Sequence, residues 1–298
     1  MTIRARLHAQ FPGASGRGIK QWLEQGRVRV NGVVVRRGDV PVAAGDRVEL
    51  GVPPPEPIPP PLRLVHEDAE VLVIDKPPGL LTIADASERE RTVYRLLRDW
   101  MEGRDAGRVF VVHRLDRETS GLLVFARTGA AKAALQAQFA ARTPERRYVA
   151  RVEGVLRDDG GTLTTRLAQD RGLRVRPTRD ARVGREAITS YRVLGREADS
   201  TLVELSLVTG RRAQIRAQLA ELGHPIVGDR TFGSRRDPLR RVCLHATRLG
   251  FVHPGGRRMA FDSPAPSAFR LPPAGQRPRR GPSRPSRGDC ARDGRRIP

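Results

Sequence analysis

Residues 51–61 hold seven prolines in eleven positions. Proline fixes φ and lacks an amide proton, so this run forms neither a helix nor a central strand and reads as a stiff, extended linker. The chain is thereby divided into a short N-terminal module, residues 2–50, and a long domain, residues 62–271. A length of 298 residues gives each part enough chain for its own core. Residues 272–298 carry eight arginines, two aspartates and almost nothing apolar, which predicts a disordered basic tail.

The formal charge of +22 is carried almost entirely by arginine, since Lys20, Lys76 and Lys132 are the only lysines. Arginine grips phosphate through a planar fork and stacks on bases, so the favoured partner is a polyanion, most naturally RNA. Codon bias in a GC-rich genome would explain arginine over lysine, but not the excess of base over acid. Cys243 and Cys290 are far apart and form no C-x-x-C pair, which fits a reducing cytosol and gives no support to structural zinc. Residues 1–11 lack the apolar segment of a signal peptide, and no run of about 18 apolar residues suggests a membrane span. A cytoplasmic, monomeric protein without a membrane partner is expected.

Within residues 2–50, Ile19, Trp22 and Leu23 have helical spacing, and Gly26 stops that helix. Val28, Val30 and the valines at 33–35 flank Asn31-Gly32, a strong hairpin signal, and Gly45-Asp46 turns into a last strand at 47–50. The order S-G-R-x-x-K-x-x-L-x-x-G-x-V-x-V-N-G over residues 15–32 resembles the S-four-like RNA-binding domain. The resemblance implies that the helix and the loop after it lie on RNA backbone, with Arg17, Lys20, Arg27 and Arg29 as contacts. A small domain with a solvated basic face is the plainer reading of the same residues.

The run His113-Arg114-Leu115-Asp116-Arg117-Glu118-Thr119-Ser120-Gly121-Leu122-Leu123 places a charged corner between strand-like segments at 108–112 and 121–126. Basic neighbours favour the charged form of a carboxylate, and small residues let another molecule approach the backbone. Alone, this reads as a salt-bridged turn as readily as a site. The whole run, however, resembles HRLD-x-x-TSGLL, the signature of the RluA-type pseudouridine synthases, whose aspartate is the nucleophile.

Three further landmarks resemble the same family. Lys76-Pro77-Pro78-Gly79 matches its K-P-x-G turn, where a lysine borders the cleft; the bare residues read as a Pro/Gly turn with a surface lysine. Ile83-Ala84 stand where the family usually has His-Pro. Residues 146–154 alternate like a strand, with Tyr148, Ala150 and Val152 on one face, which makes Tyr148 a half-buried strand residue. The matching motif K-x-Y-x-A-x-V-x-G, with Arg146 for its lysine, implies instead that Tyr148 packs on the target base. Residues 209–229 match T-G-R-x-H-Q-I-R-x-H-L-x-x-x-G-x-P-I-x-G-D, except that Ala213 and Gln218 replace both histidines. Those departures bear on target choice and on docking of the helix. That helix is predicted over 212–222, with Ile215, Leu219 and Leu222 as its buried stripe and Gly223 as its stop. Arg216 at the edge of the stripe needs an anion, and Asp116 is the candidate. Other helices are predicted over 91–100 and 130–142, and strands at 71–75, 162–167, 187–194 and 201–208. The arginines at 171–185 read as a solvated loop or an RNA contact, and His245 as a core residue.

The sequence carries no metal cluster, phosphate loop, G-x-S-x-G elbow or paired histidines. A carboxylate, a tyrosine and several arginines suit covalent chemistry at a sugar. The resemblance implies cleavage of the uridine N1–C1′ bond, rotation of the uracil and rejoining through C5, with no redox change and so no cofactor or metal. It makes Asp116, Tyr148 and Arg216 catalytic. Asp116 drives cleavage, Arg216 aims it, and Tyr148 stacks on the uracil and assists removal of the C5 proton. Arg114 braces the gap left by a flipped nucleotide, and Ile215, Lys76 and Arg211 are further substrate contacts. The implied fold is α+β, with a mixed, mainly antiparallel sheet flanked by helices. The appended module points to large-subunit ribosomal RNA ahead of transfer RNA. Two alternatives remain: a catalytically silent RNA-binding or ribosome-assembly factor on the same fold, and a nucleoside hydrolase with Asp229 or Glu118 as its second carboxylate.

Overall fold

The computed structural model describes residues 1–51, 57–104, 106–170, 172 and 174–270. The expected basic tail at 272–298 and the middle of the proline run lie outside the described residues. The chain divides into two compact units: residues 1–60 with 95–109, and residues 61–94 with the chain from 110 onward. The stretch 95–109, assigned from sequence to the long domain, groups with the first unit.

The first unit holds α1 (Ile3–Gln10), α2 (Gly16–Glu24) and a three-stranded antiparallel sheet of β1 (Val28–Val30), β2 (Val33–Val34) and β3 (Val48–Leu50), with β1 in the middle. Each helix starts on a hydroxyl cap: Thr2 accepts from the Ala5 amide and Ser15 from the Gly18 amide. Asn31 and Gly32 both have positive φ, 49° and 82°, as a tight hairpin turn between β1 and β2 demands. Ile3, Leu7, Ile19, Leu23, Val28, Val42 and Val48 form the core.

The second unit is built on one mixed sheet. Its strands are β4 (Arg63–Glu67), β5 (Val71–Lys76), β6 (Phe110–Val111), β7 (Ser120–Ala126), β8 (Glu145–Glu153), β9 (Gly160–Gln169), β10 (Val175–Pro177), β11 (Arg185–Glu197), β12 (Ser200–Leu207), β13 (Leu244–Val252) and β14 (Arg258–Asp262). The order is β10-β9-β11-β12-β8-β13-β7-β5-β4, with β14 beside β13 and β6 beside β7. Every pairing is antiparallel except β13 with β7. The seven residues of β7 are all buried, which explains why this central strand reads as an unbroken apolar run. Residues of β5 and β7 pack with Ala131 and Leu135 of α4 (Gly129–Ala141), which starts on the Thr128 hydroxyl. The helix α3 (Val93–Gly103) begins two residues later and runs three further than predicted.

The helix after β12, α5 (Gln214–Glu221), departs from the predicted stripe. Residues 214–219 are all buried, whereas Leu222 is 42% exposed. A one-sided apolar period fails here because α5 has partners on two sides: the sheet, reached through glutamines, and the cavity described next.

Candidate active site

Asp116 lies in the loop between β6 and β7, and the corner at 76–82 fixes that loop from behind. The Lys76 ammonium donates to the carbonyls of Pro77, Leu80 and Arg117 at 2.8, 2.7 and 3.0 Å. Thr82 Oγ1 donates to the Leu115 carbonyl at 2.8 Å and accepts from its amide at 3.2 Å. Burial pulls the Lys76 pKa down to about 7, against the charges of Glu118 and Asp116. Its three carbonyl acceptors favour the ammonium form. Lys76 is completely buried and does not line the cavity. It is therefore neither a surface lysine nor a substrate contact, and both expectations are corrected: it is a positioning residue under the Asp116 loop.

Beyond the loop, Gly121 has φ 113°, and a Cβ there would collide with the backbone of Ala246 on β13. Only glycine allows β7 to reach its parallel partner at this point. Before the loop, His113 Nε2 accepts from the Val124 amide at 3.1 Å, and its ring stacks on Phe139 at 4.4 Å. Burial pushes its pKa down to about 3, so the ring is neutral with its proton on Nδ1.

Asp116 opens onto a cavity of about 410 Å³ that is lined also by Arg114, Tyr148, Arg211, Ile215 and Arg216. Arg216 Nη1 lies 3.5 Å from Asp116 Oδ2. Its tighter partner is Asp229, which takes Nε at 2.6 Å and Nη2 at 2.8 Å in a two-pronged pair. Sequence reasoning named Asp116 alone as the anion. The pair with Asp229 occupies two guanidinium nitrogens and leaves the third for Asp116. Burial pulls the Arg216 pKa down, but Asp229 and then Asp116 outweigh it and leave the pKa raised. Asp229 is held by its neighbour: Gly228 has φ 86°, and a Cβ there would strike the Arg241 carbonyl. The signal was present as Gly228-Asp229 in the matched motif, though only the hydrolase reading gave the aspartate a task. Asp229 is 1% exposed and committed to Arg216, and neither it nor Glu118 lines the cavity. The cavity thus offers one carboxylate, not the two that a hydrolase of that kind would need.

Tyr148 projects from β8 into the same cavity and is 7% exposed. Burial pushes its phenol up to about 12, with Arg146 pulling it down and Asp116 pushing it further up. At neutral pH it keeps its proton.

Two glutamines dock α5. Gln214 Oε1 accepts from Thr209 Oγ1 at 2.8 Å and from the Arg211 amide at 3.0 Å, while its Nε2 donates to the Ile188 carbonyl and Thr189 Oγ1. Gln218 Oε1 accepts from Thr189 Oγ1 at 2.7 Å, and its Nε2 donates to the carbonyls of Leu163 and Ala187. Arg211 is tied to the Glu186 carbonyl through Nε.

Family models match at two places: RNA pseudouridylate synthase over residues 70–221 and S4 domain over residues 5–48. An uncharacterized RNA pseudouridine synthase of Aquifex aeolicus is 34% identical over 89% of this chain and 90% of its own length. The chain belongs to the RNA pseudouridylate synthase family. Like other pseudouridine synthases it is an isomerase acting on RNA, and it carries an N-terminal S4 domain. The ribosomal large subunit pseudouridine synthase D of Xylella fastidiosa is 38% identical over 84% of this chain and 81% of that one. Human RNA Pseudouridylate Synthase Domain Containing 4 shares the fold, with a TM-score of 0.58 at 24% identity over 70% of this chain and 90% of that one.

At Ala213 and Gln218, two of the three positions where the resemblance implies a histidine, the consequences differ. Gln218 leaves no hydrogen-bonding group idle, so docking of α5 is intact. Ala213 holds a left-handed conformation, φ 49° and ψ 26°, with no side-chain cap for α5. That conformation costs an L-residue with a Cβ, such as alanine, about 1–2 kcal/mol. Within the S4 domain, Arg17, Lys20 and Arg29 are exposed, Lys20 pairing with Glu24 at 3.8 Å. Arg27 is more committed: its Nε donates to the Gly51 carbonyl at 3.0 Å and its guanidinium lies over Trp22. Among the described residues, no helix is long and apolar enough to cross a membrane.

Proposed function

We propose that this synthase isomerises uridine in large-subunit ribosomal RNA, as a cytoplasmic monomer, with Asp116 as nucleophile. The observation that carries the reading is the convergence of Asp116, Arg216, Tyr148 and Ile215 on one cavity with a single carboxylate. The ribosomal substrate is supported by the named activity of the Xylella relative and by the S4 domain. A uridine flips out of its stack, at a cost of a few kcal/mol, and Arg114 at the rim braces the gap it leaves. Arg216, locked by Asp229, aims the Asp116 carboxylate at the ribose–base junction. As the N1–C1′ bond breaks, the uracil is kept against the ring of Tyr148, with Ile215 excluding water. Asp116 Oδ bonds to C1′ as N1 departs with the bonding pair; the base turns, C5 bonds to C1′ and displaces the Asp116 carboxylate, which takes the C5 proton while N1 is protonated from solvent. Tyr148, with a phenol near 12, contributes its ring rather than a ready base. Arg211 orients the turn beneath the substrate, and Arg17, Lys20, Arg27 and Arg29 belong to the RNA-facing side of the S4 domain.

The test is a map of carbodiimide-reactive uridines in ribosomal RNA from cells with and without the gene. One or more large-subunit stops should vanish on deletion and return with the wild-type gene. Unchanged large-subunit stops would remove the ribosomal assignment, and a change confined to transfer RNA would replace it.

A further inference from the structure

Arg146 is a buried cation without a counter-ion. It stands on β8 two residues before Tyr148, so both side chains occupy one face of the strand and both line the cavity. It is only 9% exposed. Among the described residues it pairs with no carboxylate: Nη2 makes two long bonds of 3.4 Å to the carbonyls of Leu207 and Val208, and Nε has no partner at all. Its guanidinium lies over the Phe139 ring at 5.7 Å; burial pulls its pKa down, Tyr148 pulls it up and the cation Arg142 pulls it down again. The other buried arginines contrast with it. Arg216 has Asp229 and Asp116, and Arg151 has Glu197 at 3.0 Å. An enclosed guanidinium with idle donors is costly unless an anion arrives from outside. Gly210 makes room for it, since a Cβ there would lie 2.6 Å from Arg146 Nη1.

We propose that Arg146 is the seat of a phosphodiester of the bound RNA, one of the two linkages that flank the nucleotide entering the cavity. The inference rests on the uridine-site reading above and deepens it. An anion in this position must enter with the base that meets Tyr148 and Asp116, and every nucleotide brings a phosphate on each side. The guanidinium matches phosphate oxygens; its Nε is enclosed, so the donors open to a phosphate are the terminal ones, Nη1 beside the cavity-lining Gly210 and the weakly used Nη2. The seat would hold the sugar–phosphate while the glycosidic bond is remade, and would do so for any base sequence.

The experiment titrates the full-length protein with uridine, uridine 3′-monophosphate and uridine 5′-monophosphate, followed by NMR. Wild type should bind one of the monophosphates about tenfold more tightly than uridine, the scale of a charge-assisted pair. Arg146→Gln should bind all three alike, at the wild-type affinity for uridine. Arg146→Lys should keep part of the preference, and Gly210→Ala, which displaces the guanidinium, should shrink it. Melting temperatures identify which variants are folded, and Arg146→Lys carries the comparison if Arg146→Gln is not. A wild type that treats the three compounds alike, or an unchanged preference in the folded variants, overturns the seat. A retained preference in a protein that modifies no ribosomal uridine would retire the substrate reading and leave the seat standing.

Discussion

Arg216 stands between two carboxylates with different tasks, and stability measurements separate them. Asp229 holds two of its nitrogens from a position that is 1% exposed, whereas Asp116 meets the third at 3.5 Å from the cavity wall. Asp229→Asn strands a buried guanidinium and should cost about 3–5 kcal/mol in urea unfolding. Asp116→Asn leaves the Asp229 pair whole and should cost less than about 1 kcal/mol. Equal losses would show that the two aspartates share one structural role. At this scale the sequence is informative where a residue type implies a chemical need. Arg216 visibly lacked an anion, but two aspartates could answer, and only the folded chain distinguishes them. Lys76 reads as a surface residue because nothing local reveals that a lysine followed by two prolines has its ammonium enclosed by three carbonyls. Arg146 stands where the resemblance has a lysine, and nothing local reveals that its guanidinium is buried away from any carboxylate among the described residues.

Elements are legible where a single face is buried. The α2 helix, the Asn31-Gly32 hairpin and the apolar runs of β5 and β7 follow from spacing and turn chemistry alone. The α1 helix gives too little signal, since Ile3 and Leu7 are its only buried residues and arginines fill much of the rest. The two-sided burial of α5 is similarly invisible, because glutamines that bond to a sheet do not register as an apolar period. The parallel contact of β7 with β13 joins segments more than a hundred residues apart, and its sequence trace is one glycine. Gly121→Ala should therefore cost about 3 kcal/mol or more, by forcing a Cβ into the Ala246 backbone. Gly129→Ala, at the open first turn of α4 with no atom within 4 Å of a new Cβ, should be neutral or slightly stabilising. Urea midpoints of the two variants that differed little would contradict the tight β7–β13 approach.

Across the whole molecule, the charge of +22 is divided between surfaces with different purposes. In the proposed reading the cavity arginines act on one nucleotide, whereas the S4 residues Arg17, Lys20 and Arg29 are exposed at the surface, Lys20 beside Glu24 and Arg29 donating to the Gly32 carbonyl. Replacing those three with glutamine should lower the slope of log K against log salt by about 2 to 3 for ribosomal RNA. Arg27→Gln should act more on stability than on the slope, because its Nε donates to the Gly51 carbonyl and its guanidinium lies over Trp22. An unchanged slope in the triple variant would move the RNA contact elsewhere. Composition indicated the polyanion. The grouping of residues 95–109 with the first unit has no counterpart in spacing or turn chemistry.

The most direct test of Asp116 as nucleophile is tritium release from large-subunit ribosomal RNA labelled at uridine C5, since pseudouridine formation exchanges that hydrogen. Wild type should release tritium at its target uridines. Asp116→Asn should bind the RNA with nearly wild-type affinity and release none. Sustained release by a folded Asp116→Asn protein would contradict the account.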